Sequence, residues 1–325
     1  MKKAITVGID IGGTNSVMGA VDRDGNILGE NRISTTDYPD INDYVSALQE
    51  AIREMLKKIP VEIELKAIGI GAPNGNYYHG TIVYPPNLIW EGVTPLCKLM
   101  SKYFTEPVVL TNDANAAALG EMIYGGAKKM KNFIIYTLGT GLGSGIVING
   151  EVLYGHTGFA GEIGHTIIVP GGRDCGCGRQ GCLETYVSAT GIVRTVEELF
   201  AKRRVHSPLR DVPSDQLTSR MITEAAQQGD AIALEAFDKT ADMLALSIVN
   251  SVAFSSPEAI FLFGGLSNAG KYIFEPTEKY VNEKIQSVFK GTVKILPSLI
   301  PENNAAILGS SALAWKELEK INTDK

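Results

Sequence analysis

Cysteine and histidine are both scarce in this chain, four of each among 325 residues, and tryptophan occurs only twice. So few cysteines exclude the disulfide-dense class of small secreted scaffolds. Clustered positive charge is lacking as well: the net charge is -6, and Lys202-Arg203-Arg204 is the single run of three basic residues. A grip on a nucleic-acid backbone needs several Lys or Arg on one face, so no nucleic-acid partner is expected. Long apolar runs are missing. The uncharged stretch Phe133–Ile148 is broken by four glycines and falls short of the ~18–20 apolar residues of a membrane helix. At the N-terminus two lysines are followed by Asp10 before any signal-like apolar segment develops. Neither an export signal nor a membrane partner is expected, and the setting is expected to be cytoplasmic.

What is present is a large apolar share, 44% of residues, enough for a substantial core. Single cores rarely grow past ~250–300 residues, so two domains are expected. Three short apolar runs, Ala4–Asp10, Ser16–Val21 and Ile27–Arg32, are split by turn residues and read as an antiparallel meander. Ile41, Tyr44, Val45, Leu48, Ile52, Met55 and Ile59 recur at helical spacing, and Lys66–Gly71 reads as a buried strand. A further helix-and-strand step leads to Pro107–Thr111, after which Asn112-Asp113 opens an alanine-rich helix. The pattern restarts near Lys131, with strand Phe133–Leu138, a glycine turn, strand Gly145–Ile148, the hairpin pair Asn149-Gly150 and strand Glu151–Tyr154. Helical patterns over Ala189–Ser255, strands Ala259–Phe263 and Thr292–Leu296, and a final helix from about Asn303 follow. Two units with the same beginning predict a duplicated α/β architecture around a cleft, with no low-complexity linker between them. The expected domains are residues 1–116 and 117–302, with a C-terminal helix at about 303–325 packing back on the first.

Glycine turns stand at equivalent places in the two units: Gly12-Gly13-Thr14, and Gly139-Thr140-Gly141-Leu142-Gly143-Ser144-Gly145. Neither follows the dinucleotide-binding pattern. Gly265–Lys271 has P-loop spacing, but Tyr272 stands where a magnesium-binding hydroxyl belongs, so that match is discounted. Each turn alone also admits the reading of a plain tight hairpin. Together, with the hydroxyls of Thr14, Thr140 and Ser144, they suit two loops holding the phosphates of one nucleotide. Asp10 and Asp113 are carboxylates at strand ends. Asp113 is either a helix cap or, if Asn112 takes that role, a group free to accept a proton from a hydroxyl. Three of the four cysteines fall at Cys175, Cys177 and Cys182, shortly after His165. One imidazole and three thiols are the donor set of tetrahedral structural Zn²⁺. Four protein ligands leave no open position, so the metal is expected to organise its neighbours, Glu162 and Glu184, rather than to catalyse.

The motifs Asp-Ile-Gly-Gly-Thr-Asn (10–15), Thr-Asn-Asp-Ala-Asn-Ala (111–116), Leu-Gly-Thr-Gly-Leu-Gly-Ser-Gly (138–145), Gly-Glu-Ile-Gly-His (161–165) and Cys-x-Cys-Gly-x-x-Gly-Cys-Leu-Glu (175–184) together resemble the ROK family of sugar kinases and sugar-responsive repressors. The resemblance covers almost the whole chain and implies the actin/hexokinase-like ATPase fold. It implies Asp113 as catalytic base, and Asn87, Asn112, Glu162, His165 and Glu184 as sugar ligands, with His165 serving both zinc and sugar. Asp10, Gly12, Gly13 and Thr14 fall on the family's first phosphate motif, Gly139, Thr140, Gly141 and Gly143 on the second, and Gly264 and Gly265 on the adenosine motif. The implied cofactors are ATP, Mg²⁺ and structural Zn²⁺, and the implied assembly is a homodimer or homotetramer. The family's Gly-x-Pro-Gly appears here as Gly71-Ala72-Pro73-Asn74, a departure at Asn74. The run 182–192 is most similar to the glucokinase branch, so glucose is the expected substrate, with N-acetylhexosamine, mannose or fructose as alternatives. The family's repressors carry a DNA-binding domain ahead of the first strand. Here that strand begins at about Ala4, so a non-catalytic sugar-responsive regulator is the less favoured expectation.

Overall fold

The computed structural model describes residues 2–323. The chain divides into two compact units, one formed by Met1–Met130, Val152–Ala160 and Leu299–Lys325, the other by Lys131–Glu151 and Gly161–Ser298.

The first unit opens with the expected meander, β1 (Lys3–Ile11), β2 (Asn15–Asp22) and β3 (Ile27–Ser34). Helix α1 (Ile41–Lys57) starts at Asp40, whose carboxylate accepts the Asn42 amide at 2.7 Å. Its Tyr44, Val45, Leu48, Ile52 and Met55 join Ile5, Val7 and Ile9 of β1 in one buried cluster, since period 3.6 on a helix and period 2 on a strand each present one apolar side. Strand β4 (Ile63–Gly71) follows, then a small sheet of β5 (Gly75–Asn76), β6 (Thr81–Val83) and β7 (Val93–Thr94), helix α2 (Leu96–Met100), strand β8 (Val108–Thr111) and helix α3 (Asp113–Ile123). The main sheet runs β3-β2-β1-β4-β8, with β1, β4 and β8 parallel.

The second unit repeats this order. Strands β9 (Phe133–Leu138), β10 (Leu142–Ile148) and β11 (Glu151–Val152) form the meander. Then come α4 (Ala189–Lys202), α5 (Ser219–Gln227), α6 (Ala231–Ser255), β12 (Ala259–Phe263), α7 (Lys271–Lys284) and β13 (Lys294–Pro297). The sheet order β11-β10-β9-β12-β13 matches the first unit position for position, and β9, β12 and β13 are parallel. The expected duplication is therefore present. Three local expectations change. β10 begins at Leu142, so Gly143 is a strand residue. β11 stops at Val152, because Tyr154 turns to stack on Tyr77 with ring centroids 4.2 Å apart. The helical stretch 189–255 breaks into three helices: Pro208 and Pro213, lacking the amide a helix interior requires, stand in the first gap, and Gly229 at φ 82° with the cap Asp230 in the second.

The last helix, α8 (Glu302–Thr323), returns to the first unit and packs on β1, β4 and α3. The approach is so close that a Cβ on Gly69 would lie 1.9 Å from the Ser310 carbonyl oxygen, and one on Gly8 would lie 2.1 Å from that of Ile307. Because α3 packs along α8, the first unit extends through all of α3 to Met130, past the expected limit at residue 116.

Candidate active site

The first unit gathers its candidate residues at the C-terminal ends of its parallel strands, where open α/β sheets bind ligands. Asp10 on β1 pairs with Gly71 on β4, which pairs with Thr111 on β8. Asp113 follows directly, as the first residue of α3. The cap question is answered by the Asn112 side chain, which accepts the amides of Ala114 at 2.8 Å and Asn115 at 3.1 Å. Asp113 shares only the Ala114 amide, at 2.8 Å, and its side chain keeps contact with solvent. Desolvation by the surrounding protein raises the Asp113 pKa, opposed by backbone hydrogen bonds from Ala114 and from its own amide. Half-buried Asp10 is pushed up to about 7, first by desolvation and then by the nearby Asp113 charge. Two neighbouring carboxylates with raised proton affinity suit the hydration shell of a divalent cation.

The turn Gly12-Gly13-Thr14 closes through the Gly12 amide on the Asn15 carbonyl at 3.0 Å. A Cβ on Gly13 would lie 2.6 Å from the carbonyl oxygen of Asn87, so the predicted phosphate turn and the predicted sugar residue are in contact. Asn74 has φ 52°, the left-handed conformation of a glycine, and its amide donates to the Tyr84 carbonyl at 3.0 Å. Asn tolerates that region better than most residues, which accounts for its standing where the resemblance expects glycine.

In the second unit, the Sγ and imidazole nitrogen atoms of His165, Cys175, Cys177 and Cys182 all lie within 4.8 Å of one another. The Cys177 and Cys182 sulfurs are 3.6 Å apart, and Cys175 Sγ is 3.7 Å from His165 Nδ1. Zn–S bonds of ~2.3 Å at tetrahedral angles give edges of ~3.8 Å, so the donor set and its spacing fit zinc. Burial raises the Cys175 and Cys182 thiols, Cys182 to about 12. Burial acts on Cys177 in the same sense, but hydrogen bonds from Arg179 and the other two thiols bring it down to about 6.

Beside this cluster, Glu184 directs Oε1 to within 3.8 Å of Cys175 Sγ, while Oε2 accepts the Leu142 amide at 2.9 Å. Exposed Glu162 heads the 3₁₀ turn Ile163–His165. Gly139 and Thr140 are held by their carbonyls, which accept from the Ala189 amide at 2.9 Å and the Thr190 hydroxyl at 3.0 Å. A Cβ on Gly141 would strike Glu184 Oε2 at 2.4 Å. One expectation is corrected: Ser144 offers no hydroxyl to a phosphate, because it is buried in β10 and bonds the Gly161 carbonyl and the Ile163 amide.

Gly264, at φ 98°, lies where a Cβ would meet the Leu138 carbonyl oxygen at 2.9 Å, placing the Gly264-Gly265 turn against the end of β9. Gly265 borders a cavity of about 470 Å³ together with Arg220, Thr223 and Glu224 of α5 and Asn268. Sequence reasoning missed those four. The helical spacing of Arg220, Thr223 and Glu224 was visible, but nothing in it indicates that α5 comes to Gly265.

The duplicated five-stranded mixed sheets, each opened by an antiparallel meander with a glycine turn, are those of the actin/hexokinase-like class. Residues 6–317 match the ROK family as a whole, and the chain belongs to it. The glucokinase of Streptomyces coelicolor is 34% identical over 321 residues, 95% of this chain and 97% of that one. A xylose repressor of Caldicellulosiruptor bescii is 30% identical over 273 residues, 83% of this chain and 68% of that protein. Among solved structures, a ROK family glucokinase from Streptomyces griseus in complex with glucose and AMPPNP superposes with a TM-score of 0.79 at 31% identity, covering 96% of this chain and 99% of that one. Among the described residues, no helix is long and apolar enough to cross a membrane.

Proposed function

We propose that this chain transfers the γ-phosphoryl group of ATP to the primary hydroxyl of a hexose, with glucose preferred and O6 as the acceptor. The observation that carries this reading is the division of labour at the start of α3: Asn112 caps the helix, which leaves the Asp113 carboxylate accessible and raised in proton affinity. Asp113 takes the hydroxyl proton as the sugar oxygen bonds to the γ-phosphorus and ADP leaves with the electrons of the broken P–O bond. A nucleotide-borne Mg²⁺ supplies charge neutralisation on the phosphates, and Asp10 would hold its hydration shell. Gly13 and Thr14, and Gly139, Thr140 and Gly141, provide the backbone amides of the phosphate loops, and Gly12, its amide on the Asn15 carbonyl, shapes the first turn. Gly143, within β10, supports the second loop. Gly264 and Gly265 take the adenosine.

His165, Cys175, Cys177 and Cys182 would hold the zinc, which orders the loop carrying the sugar ligands. With Nδ1 turned to the thiols, His165 keeps Nε2–H for a sugar hydroxyl. Asn87, Asn112, Glu162 and Glu184 supply the remaining partners. Reduced thiols and an ATP supply both suit a cytoplasmic setting.

The test is a coupled ADP-release assay with glucose, mannose, fructose, N-acetylglucosamine and N-acetylmannosamine at saturating MgATP. Glucose should give the highest kcat/KM; fructose or an N-acetylated sugar exceeding it overturns the glucose assignment but not the kinase one. The likeness to a xylose repressor favours a second reading, a sugar-responsive regulator. Sugar binding without turnover on any of the five would decide for it.

A further inference from the structure

Arg173 lies two residues before the first zinc thiol, and its side chain is almost wholly buried, at 8% exposure. Nothing in a glycine-rich loop requires a buried guanidinium, and four of the five N–H groups of this one have partners. Nη1 donates to the Thr185 carbonyl at 2.6 Å and to the Gly191 carbonyl at 3.0 Å. Nη2 donates to Thr195 Oγ1 at 3.0 Å, and Nε to Glu198 Oε1 at 2.7 Å. The guanidinium carbon sits 4.5 Å from the centroid of the Tyr186 ring, whose hydroxyl in turn accepts the Arg173 amide at 3.0 Å.

Two structures are joined by these contacts. Thr185 directly follows Glu184, whereas Gly191, Thr195 and Glu198 belong to α4. The same two structures hold the phosphate loop. Glu184 Oε2 takes the Leu142 amide, and the beginning of α4 takes Gly139 and Thr140 through Ala189 and Thr190. If the segment bearing Glu184 shifted against α4, one end of the phosphate loop would follow the carboxylate and the other would stay with the helix.

We propose that Arg173 is a positioning residue that locks Glu184 to α4, so that the sugar carboxylate and the phosphate loop 139–142 keep one geometry and the two substrates bind cooperatively. The inference rests on the kinase reading for the identity of those substrates. A planar fork of donors is needed, which an ammonium cannot reproduce. Arg173→Lys should therefore rescue charge but not function, and Arg173→Met should retain only the packing on Tyr186.

The experiment uses zinc-loaded full-length protein and measures Kd for MgAMPPNP with and without glucose, alongside KM for glucose and MgATP. In wild type, glucose should tighten MgAMPPNP binding. In Arg173→Met, with zinc still at one per chain, that tightening should vanish and both KM values should rise together by about tenfold, with kcat changing less. Arg173→Lys should resemble Met. Glu198→Gln, which keeps an acceptor at the half-exposed end of the network, should stay within about twofold of wild type. If Arg173→Met folds, keeps its zinc and retains the coupling, or if only one KM moves, the proposal is wrong. A fully active Arg173→Lys also overturns it, because point charge would then suffice. Wild-type protein that binds both ligands without turnover refutes the kinase reading while leaving the Kd comparison intact; wild type that binds neither refutes both.

Discussion

Replacing Asp10 by Asn should stabilise the ligand-free protein, by an amount that grows with pH. Burial and the neighbouring Asp113 charge lift this carboxyl from the ordinary aspartate value of 3.8 to about 7. At 1.36 kcal/mol per pH unit, ionising it in the folded chain costs ~4 kcal/mol more than in the unfolded chain. Water and counter-ions reaching a half-buried carboxylate reduce this, so ~1–4 kcal/mol is expected. Because the folded-state value lies above the unfolded one, the folded protein holds this proton more tightly. That contribution is complete below the ordinary value and is lost as pH rises through about 7.

Wild type and Asp10→Asn should therefore differ little near the low end of that window and diverge through it, with a plateau above pH ~8. At ~2–4 °C per kcal/mol for a chain of this size class, the variant should melt a few degrees higher at pH 8, with a clearly smaller gap at pH 5. The assay is thermal unfolding of zinc-loaded, magnesium-free protein across that range, repeated with MgATP, which should narrow the gap by supplying a cation to the carboxylate. A gap independent of pH, or a variant less stable than wild type at pH 8, would refute the electrostatic account of this pair.

Asp113→Asn should abolish phosphoryl transfer while sugar affinity, read by titration, stays within about tenfold, since an amide still hydrogen-bonds but takes no proton. With wild type, kcat/KM should fall as pH drops through the raised Asp113 value, as the base becomes protonated; a profile flat down to the ordinary carboxyl range would remove it from that role. Cys177→Ala should lose zinc by elemental analysis and weaken glucose binding together. Gly69→Ala forces a methyl into the Ser310 carbonyl, 1.9 Å away, and should lower stability by about 3 kcal/mol, seen as a melting temperature several degrees lower.

The two meanders were legible because apolar alternation and turn chemistry agreed. Asn149-Gly150, for instance, takes positive φ at both positions, as a two-residue hairpin demands. The gathering of His165, Cys175, Cys177 and Cys182 was legible from residue type and spacing. Long-range placement was legible only in outline: the return of the last helix to the first unit was expected, but not its seat on Gly8 and Gly69, where the Ser310 carbonyl oxygen would lie 1.9 Å from a Cβ on Gly69. Ser144 misled because a hydroxyl in a glycine run looks ready for phosphate, whereas the strand's alternation turns it inward onto Gly161 and Ile163. Arg173 carried no signal, since its partners Thr185, Gly191 and Thr195 lie on a 3₁₀ turn and a helix whose relative angle exists only in the fold.

Residues 161–188 have little regular structure of their own: two 3₁₀ turns, Ile163–His165 and Leu183–Thr185, and isolated bridges at Ile167–Cys182 and Asp174–Gln180. Irregular connections beyond ~12–15 residues are uncommon in compact domains unless something else holds them. Here the fastenings are separate. His165 gathers with the three cysteines in one cluster, Arg173 fixes the far side to α4, and Gly164 lets the first turn lie against β10, where a Cβ would come 2.1 Å from the Leu142 carbonyl oxygen. The core cluster around Ile134, Tyr136, Ile260 and Leu262 depends on none of the metal ligands except through Leu183 and Ile163 beside them. Removing zinc should therefore loosen the loop without melting the sheet. Hydrogen exchange after chelation should quicken at amides between Ile163 and Leu183 while those of β9 and β12 keep their protection. Exchange quickening equally in both strands would mean that the metal holds up the whole unit, and its assignment as an organiser of the sugar ligands alone would have to be abandoned.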